Sequence, residues 1–254
     1  MLDTSNIEFS NKDRIKGIIL PSEVTHDLAY LCGILAGDGH INIREEKHDW
    51  LIKVVGNPSN EREFYNDVVK PLFKRVFGLE INLRLQDSGE TYGFCTWSRA
   101  IVRFLTEIVC LPHGSKYSQL KIPDLFIRND ELVSCFIRGV ADTDFYLGLK
   151  RGSKAKPIYP VIVGVSKSKD FINEISCWLR QKGFHVNTYE RNQLDTRFKD
   201  GFSITHAVEL SGHSNFQLWM QVISFSSPKH LARARTVSNS YKNEPAKAFA
   251  PASP

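Results

Sequence analysis

Apolar and polar positions along this chain change period in the same order twice. Residues 1–24 are polar and irregular, with Pro21 ahead of the first periodic segment. Thr25 and Asp27 offer caps for a helix from Asp27 to Asp38. After Gly39 the period falls to two: His40, Asn42 and Arg44 alternate with Ile41 and Ile43, as in a half-buried strand. A second strand, Trp50 to Val55, closes at the turn cluster Gly56-Asn57-Pro58. Phe64, Val68, Leu72, Phe73 and Val76 then fall at helical core spacing within Glu61–Phe77, and Gly78 is a C-terminal stop. Strands Ile81–Gln86 and Thr91–Trp97 flank the turn Asp87-Ser88-Gly89, and a helix is predicted over Arg99–Val109.

The second half repeats this order. Asn129 or Asp130 caps a helix through Leu132–Asp144. A strand follows with Phe145, Leu147 and Leu149 inward and Tyr146, Gly148 and Lys150 outward. Next come a strand at Tyr159–Val165, a helix at Asp170–Lys182 stopped by Gly183, strands near His185–Arg191 and Phe202–Leu210, and a last helix near Asn215–Ile223. The expectation is an α+β chain of two αββαββα halves, residues 25–110 and 129–237. They are joined by a Pro- and Gly-containing linker at 111–128, preceded by the 1–24 extension and followed by a disordered Ala/Pro/Ser/Asn-rich tail at 238–254.

At 254 residues, 42% hydrophobic and 24% charged, the chain has the composition of an ordinary globular protein. No apolar run approaches the ~20 residues needed to span a bilayer. Asp3, Glu8 and Asp13 occupy the N-terminus without an apolar h-region, which argues against a secretory signal or transit peptide. The five cysteines are odd in number and widely spaced, with no CxxC pair, so a zinc site or disulfide framework is not expected. The expected location is intracellular, the cytoplasm of a prokaryote. Net charge is +5, yet Arg138–Lys199 holds twelve Lys/Arg against six Asp/Glu. That basic stretch, with Lys150, Arg151, Lys154, Lys156, Lys167 and Lys169, suits a polyanion.

One short pattern narrows the chemistry further. Leu31-Cys32-Gly33-Ile34-Leu35-Ala36-Gly37-Asp38-Gly39 and Ile137-Arg138-Gly139-Val140-Ala141-Asp142-Thr143-Asp144-Phe145 both carry glycine third and end in a small residue followed by aspartate. Gly33 and Gly37, like Gly139 and Thr143, are four residues apart, giving each helix a small-residue stripe. Packing stripe on stripe lets two backbones approach closely, by a purely steric argument. That packing sets the helix C-termini side by side so that Asp38 and Asp144 meet, and the partial negative charge of the helix ends adds to the attraction for a cation. Two converging carboxylates form an oxygen-rich site suited to Mg²⁺, and divalent ions bridging attacking and leaving oxygens recur in phosphodiester hydrolysis. Polar residues at matched offsets after each aspartate argue for duplication.

These two segments resemble the paired motifs of the single-chain LAGLIDADG homing endonucleases, and by motif and element order the resemblance runs from about Asp27 to Ile223. It implies a duplicated fold whose two sheets form a saddle over duplex DNA. It also implies a monomeric enzyme without membrane or obligate protein partner, intron-encoded, that cuts both strands of a long DNA target with Mg²⁺ and leaves 3′ overhangs. Two or three shared ions are expected, with Mn²⁺ able to substitute. By the resemblance, Asp38 and Asp144 are the metal carboxylates, and Gly37 and Thr143 offer backbone carbonyls. Two positions depart from the pattern: Ala36 stands where an acid is frequent, and Phe145 where glycine is usual.

Asn57 is the best placed water-organising amide, with Ser166 or Lys167 in the matching region of the second half, and Lys150 or Lys167 a candidate charge-stabilising lysine. Strand parity nominates His40, Asn42, Arg44, Lys53, Arg84 and Gln86 in one half as groove-facing, with Tyr146, Lys150, Asn187, Tyr189 and Arg191 in the other. His206 and His213 belong to no metal-ligand pattern. An RNA maturase or a non-cleaving DNA-binding protein on the same fold is the alternative, although the latter would be expected to lose the motif acids. An intein fragment would need splicing residues around the endonuclease, and neither the Met-Leu-Asp start nor the Ala-Ser-Pro end supplies them.

Overall fold

The structure, a computed structural model, describes residues 1–115, 119–151, 158–194 and 201–242. Lys154, Lys156 and residues 243–254 of the expected tail therefore lie outside the described residues. A short helix α1 (Asn11–Ile15) precedes α2 (His26–Gly37). The first half continues with β1 (Gly39–Arg44), β2 (Asp49–Gly56), α3 (Arg62–Phe64), α4 (Lys70–Phe77), β3 (Arg84–Gln86), β4 (Thr91–Trp97) and α5 (Arg99–Arg103). Wider π-type turns at Tyr65–Val69 and Phe104–Ile108 extend the helices there. After α6 (Asp124–Ile127), the second half runs α7 (Asp130–Asp144), β5 (Phe145–Arg151), β6 (Ile158–Ser166), α8 (Lys169–Gln181), β7 (Val186–Leu194), β8 (Phe202–Ser211), α9 (His213–Val222) and α10 (Pro228–Lys242).

Each half folds into a four-stranded antiparallel sheet, ordered β1-β2-β4-β3 and β5-β6-β8-β7. Register fixes which face each residue takes. His40 pairs with Lys53 and Asn42 with Leu51, while Ile41 pairs with Ile52 on the buried face. Helices cover that face, and Phe64, Phe73, Phe77, Phe94 and Phe104 fill the first core. Sheet two buries Leu147, Ile162, Val208 and Leu210 against α8 and α9. The other face of each sheet carries the polar alternation, as expected for an antiparallel sheet covered on one side.

The motif helices α2 and α7 cross at their glycines. A methyl group built on Gly33 would lie 2.0 Å from the Phe136 carbonyl oxygen and 2.9 Å from Gly139 Cα. One built on Gly139 would lie 2.3 Å from the Tyr30 carbonyl oxygen. The stripes therefore meet backbone to backbone, as the spacing predicts. Leu28, Leu31, Ile34, Val133, Phe136 and Ile137 seal the surroundings of the crossing.

Four stretches depart from the sequence pattern. The 1–24 extension is docked: Ile7, Asp13 and Ile18 are buried, and Ile19 N–H donates to the Phe77 carbonyl at 3.0 Å. The linker is docked likewise through Leu111, Leu120, Ile122 and Phe126. Only Arg84–Gln86 of the expected Ile81–Gln86 strand pairs, because β3 is an edge strand whose sole partner is β4 over that length. The helix α10 continues through 238–242, where composition indicated the start of a tail, and it begins well before that point. Its buried side chains, His230, Ala234 and Val237, are sparse and mostly small, so the helix depends on docking more than on its own apolar stripe.

Candidate active site and nucleic-acid interface

Asp38 caps the C-terminus of α2 and Asp144 ends α7. Because the helices touch at Gly33 and Gly139, one turn further on their ends abut. A methyl on Gly37 would lie 2.0 Å from Thr143 Oγ1 and 3.2 Å from Asp144 Oδ2. Thr143 turns its hydroxyl back into α7, donating to the Val140 carbonyl at 2.9 Å. On the other side, a methyl on Gly56 would lie 3.2 Å from Asp38 Oδ2. Gly56 ends β2, so the first motif acid sits over the strand end where the turn Asn57-Pro58 begins.

Two residues beside Asp38 escape the sequence pattern. Tyr65 donates its hydroxyl hydrogen to Asp38 Oδ2 at 2.9 Å. Burial, then the nearby charges of Asp38, Glu61 and Asp144, hold the Tyr65 hydroxyl protonated far above its ordinary range. Glu61, 7% exposed, accepts from the Asn57 backbone N–H at 2.5 Å. Its other oxygen is 2.5 Å from Lys229 Nζ on α10. Tyr65 reads as one more buried position of an amphipathic helix, and Glu61 as its first turn. Lys229 lies beyond every periodic segment, so no local signal marks it.

A third motif acid takes a structural role. Asp142, 1% exposed, accepts from Tyr30 Oη of α2 at 2.7 Å and from the backbone N–H groups of Ser226 and Ser227 just ahead of α10. Burial pushes its carboxyl up to about 6 in spite of these donors. The equivalent position in the first motif is Ala36, which is buried without a charge to satisfy. This alternation of Ala36 and Asp142 in the two motifs was the available signal.

The remaining candidates are distributed as follows. Asn57 is exposed and its Oδ1 accepts from Ser59 N–H at 2.8 Å, which closes the turn. Sheet register aligns it with Lys167, since Val54 lies opposite Gly39 and Gly164 opposite Phe145. Lys167 is thus at the strand end beside Asp144. Lys150 is six residues down β5, about 20 Å away at ~3.3 Å per residue, and pairs with Glu209 at 3.4 Å. The structure does not bring Lys150 to the carboxylates. Phe145 replaces the usual glycine without disturbing the helix exit, because Gly164 leaves the space its ring occupies and Trp219 packs on it at 5.8 Å.

All the groove-facing candidates share the uncovered face of their sheet. In the first half Arg84 is opposite Gly93, Gln86 opposite Thr91 and Lys53 opposite Cys95, on the same face as His40, Asn42 and Arg44. In the second, Asn187 is opposite Glu209, Tyr189 opposite Ala207 and Arg191 opposite Thr205, on the face carrying Tyr146 and Lys150. Several are held by neighbours: Arg44 by Asp49, Lys53 by Asp87 at 2.5 Å, and Arg191 over the Tyr189 ring at 4.9 Å. His206 faces the helix side, 3.4 Å from Glu190. Exposed pairs of this kind are worth only about 0–1 kcal/mol each. A polyanion can exchange with them at little cost.

Among the described residues no group of three or more His, Cys, Asp or Glu is arranged to hold a metal ion. What the site offers is two carboxylates on abutting helix ends. Such an all-oxygen set fits a hard divalent cation that completes its shell with water and phosphate oxygens. Among the described residues no helix is long and apolar enough to cross a membrane.

No protein-family model matches the chain. Among curated proteins it is 25% identical, over 245 residues, to the glutamine–fructose-6-phosphate aminotransferase (isomerizing) of Methanocaldococcus jannaschii, covering 93% of this chain and 19% of that protein. It is 27% identical over 162 residues to the probable translation initiation factor IF-2 of the same organism, covering 63% and 12%. The chain therefore spans about a fifth or less of the curated relatives it matches. Among solved structures, a variant of I-SmaMI aligns with a TM-score of 0.55 at 10% identity, over 88% of this chain and 92% of that one. I-DmoI in complex with DNA and Ca aligns with a TM-score of 0.53 at 12% identity, over 84% and 97%. Mesophilic variants of the homing endonuclease I-DmoI give 0.51 at 13% identity, over 78% and 96%. With its duplicated motif helices, their two terminal aspartates and a pair of one-side-covered sheets, the chain carries the two-motif LAGLIDADG homing endonuclease fold.

Proposed function

We propose that the chain is a site-specific, homing-type DNA endonuclease. It hydrolyses both strands of a long duplex target, leaves 3′ overhangs, acts as a monomer and uses Mg²⁺ as its working ion. The observation that carries this reading is the abutment of the two motif-helix ends, where Asp144 Oδ2 lies 3.2 Å from a methyl built on Gly37, the residue ahead of Asp38, together with two sheets whose uncovered faces bear the basic and amide side chains. Asp38 and Asp144, with the carbonyls of Gly37 and Thr143, would hold the ion. When bound, it polarises the scissile phosphate and lowers the pKa of attacking water.

The chain's own groups do the rest. Tyr65 fixes Asp38 in one rotamer through its hydrogen bond and keeps its own proton while doing so. Lys167, just past the end of β6, would meet the charge that develops on phosphate, and Asn57, at the matching end of β2, would orient water. Arg44, Lys53, Arg84, Lys150 and Arg191 exchange their loose partners for phosphate or guanine edges, while Asn42, Gln86 and Asn187 suit adenine. His40, Tyr146 and Tyr189 complete the contact face.

The two curated relatives bear unrelated names yet match through a small fraction of their length. That supports a segment that can be carried within otherwise different host proteins; that this chain is intron-encoded rests on the family resemblance alone. The test uses Asp38→Asn and Asp144→Asn with the intronless allele of the host gene as substrate. Each variant should lose double-strand cleavage and keep DNA binding. Full cleavage by both would refute the reading.

A further inference from the structure

We propose that Arg233, on the C-terminal helix α10, binds a backbone phosphate of duplex DNA at the rim of the second sheet. The helix is then a third element of the DNA-contacting surface, beside the two sheets. The inference deepens the endonuclease reading above and rests on it. Residues 228–242 hold four Lys/Arg and no Asp/Glu. At about 100° per residue, the buried stripe His230, Ala234 and Val237 has Lys229 and Arg233 on one flank and Arg235 on the other. The Lys229 flank meets both halves of the chain. Lys229 pairs with Glu61 in the first half, and Arg233 lies over the Tyr146 ring in the second at 5.3 Å. Asp142 pins the start of the helix by accepting from the Ser226 and Ser227 N–H groups. The passage of α10 beside β5 is therefore held from both halves.

The surroundings of Arg233 point to an anion. Tyr146 projects from the uncovered face of sheet two and is 51% exposed. A methyl built on Gly148 would lie 2.2 Å from Tyr146 Oη and 2.4 Å from its ring, so the tyrosine lies along β5 over a residue without a side chain. Arg233 stacks on top of it. Stacking on a ring holds a guanidinium in plane while its five N–H donors stay directed outward, ready for the paired oxygens of a phosphate. Arg44, Lys53 and Lys150 are each held by a carboxylate, whereas exposed Arg233 is held by a ring. Arg191 over Tyr189 repeats that arrangement on the same face. The edge position of β5, in the order β5-β6-β8-β7, selects phosphate over base. Four strands about 4.8 Å apart span roughly 14 Å, close to the ~12 Å width of a major groove, so an edge strand seated lengthwise meets the backbone wall. Gly148 is four residues past Asp144, about 13 Å along the strand. The phosphate held by Arg233 accordingly flanks the cut, and Arg233 is a binding residue.

The experiment measures binding to a random-sequence duplex in EDTA by fluorescence anisotropy over a salt series, since a phosphate contact carries no sequence information. Arg233→Met should lower the slope of log affinity against log salt by about one, and weaken binding about five-fold at about 0.15 M salt. Arg233→Gln, which keeps a polar head, should repeat that loss and guards against misfolding of the methionine variant. Arg233→Lys should keep the slope. Arg235→Met, on the far flank of α10, should leave slope and affinity as in the wild type. Tyr146→Ala removes the platform but no charge, so it should weaken binding about three-fold with the slope unchanged. In a cycle with Arg233→Met its loss should be less than additive. A wild-type slope in both Arg233→Met and Arg233→Gln, an equal loss in Arg235→Met, or full additivity with Tyr146→Ala would overturn the proposal. A wild-type chain that binds no duplex would instead refute the endonuclease reading.

Discussion

The crossing of α2 and α7 yields the sharpest prediction. Gly33→Ala places a methyl 2.0 Å from the Phe136 carbonyl oxygen and 2.9 Å from Gly139 Cα. Both obstacles are backbone, so no side chain can swing aside. Relief requires the two helices to separate by about 1.4 Å, enough to restore an ordinary contact of ~3.4 Å. Overpacking of a well-filled interior costs about 1–3 kcal/mol, and a backbone obstacle places this case near 3. For a chain of this size that lowers the melting temperature by roughly 6–12 °C. The same displacement reaches Asp38 and Asp144 one turn on, and a misplacement of about 1 Å can cost about 100-fold in rate. Circular-dichroism melting and a plasmid-cleavage time course measure the two effects. If Gly33→Ala melts within about 1 °C of wild type and cuts at full rate, the close crossing is not what sets the site.

Four further outcomes follow from named contacts. Asp142 and His230 oppose each other in acid. His230 is buried with both ring nitrogens unpartnered and is held down to about 3 by burial and the charges of Lys229 and Arg233. Its stabilising contribution is complete above the unfolded value of ~6.5 and is lost as pH falls toward 3. Asp142 is raised from 3.8 to about 6, so it favours the folded state at low pH and its contribution is lost as pH rises through 6. Between roughly pH 4 and 6 the two slopes of ~1.4 kcal/mol per pH unit cancel. Denaturant melts should find His230→Phe gaining stability toward pH 4 relative to wild type and Asp142→Asn losing it; parallel pH profiles would refute both assignments. Lys150→Met should lower the slope of log affinity against log salt by about one, and an unchanged slope would remove Lys150 from the phosphate contacts.

Asp13 carries a separate test of the docked extension. Burial raises its carboxyl, but hydrogen bonds from Ser98, Ser10 and the Ala100 N–H outweigh that and hold it below the ordinary value. Its contribution is therefore present at neutral pH and lost as pH falls through that depressed value. Asp13→Asn should destabilise the chain by about 1–3 kcal/mol at pH 7 in a urea melt, with the gap closing in strong acid. A neutral effect at pH 7 would mean the extension is dispensable.

Much of the architecture is legible in the amino-acid pattern, because it rests on short-range periodicity. The switch from period 3.6 to period two after Asp38, the caps Thr25 and Asn129, and the stops Gly78 and Gly183 each act within one or two turns of chain. Parity likewise determined which residues of β1, β5 and β7 face away from the helices. The small-residue stripes implied the helix crossing, since only backbone can meet backbone at Gly33 and Gly139.

Tertiary structure alone decided the surroundings of Asp38. Glu61 meets Lys229 across 168 residues of chain, and neither residue type nor spacing encodes a pairing that distance apart. The helix α10 carries too few large apolar side chains to announce itself, and it is held by Asp142, Glu61 and the packing of His230, Ala234 and Val237. Lys150 and Lys167 were equivalent as charges until register separated them by the length of a strand. The sequence determined that two carboxylates would meet at the ends of two helices, because a steric stripe is a local property. Which groups surround Asp38 is a matter of long-range packing, and no local pattern announces it.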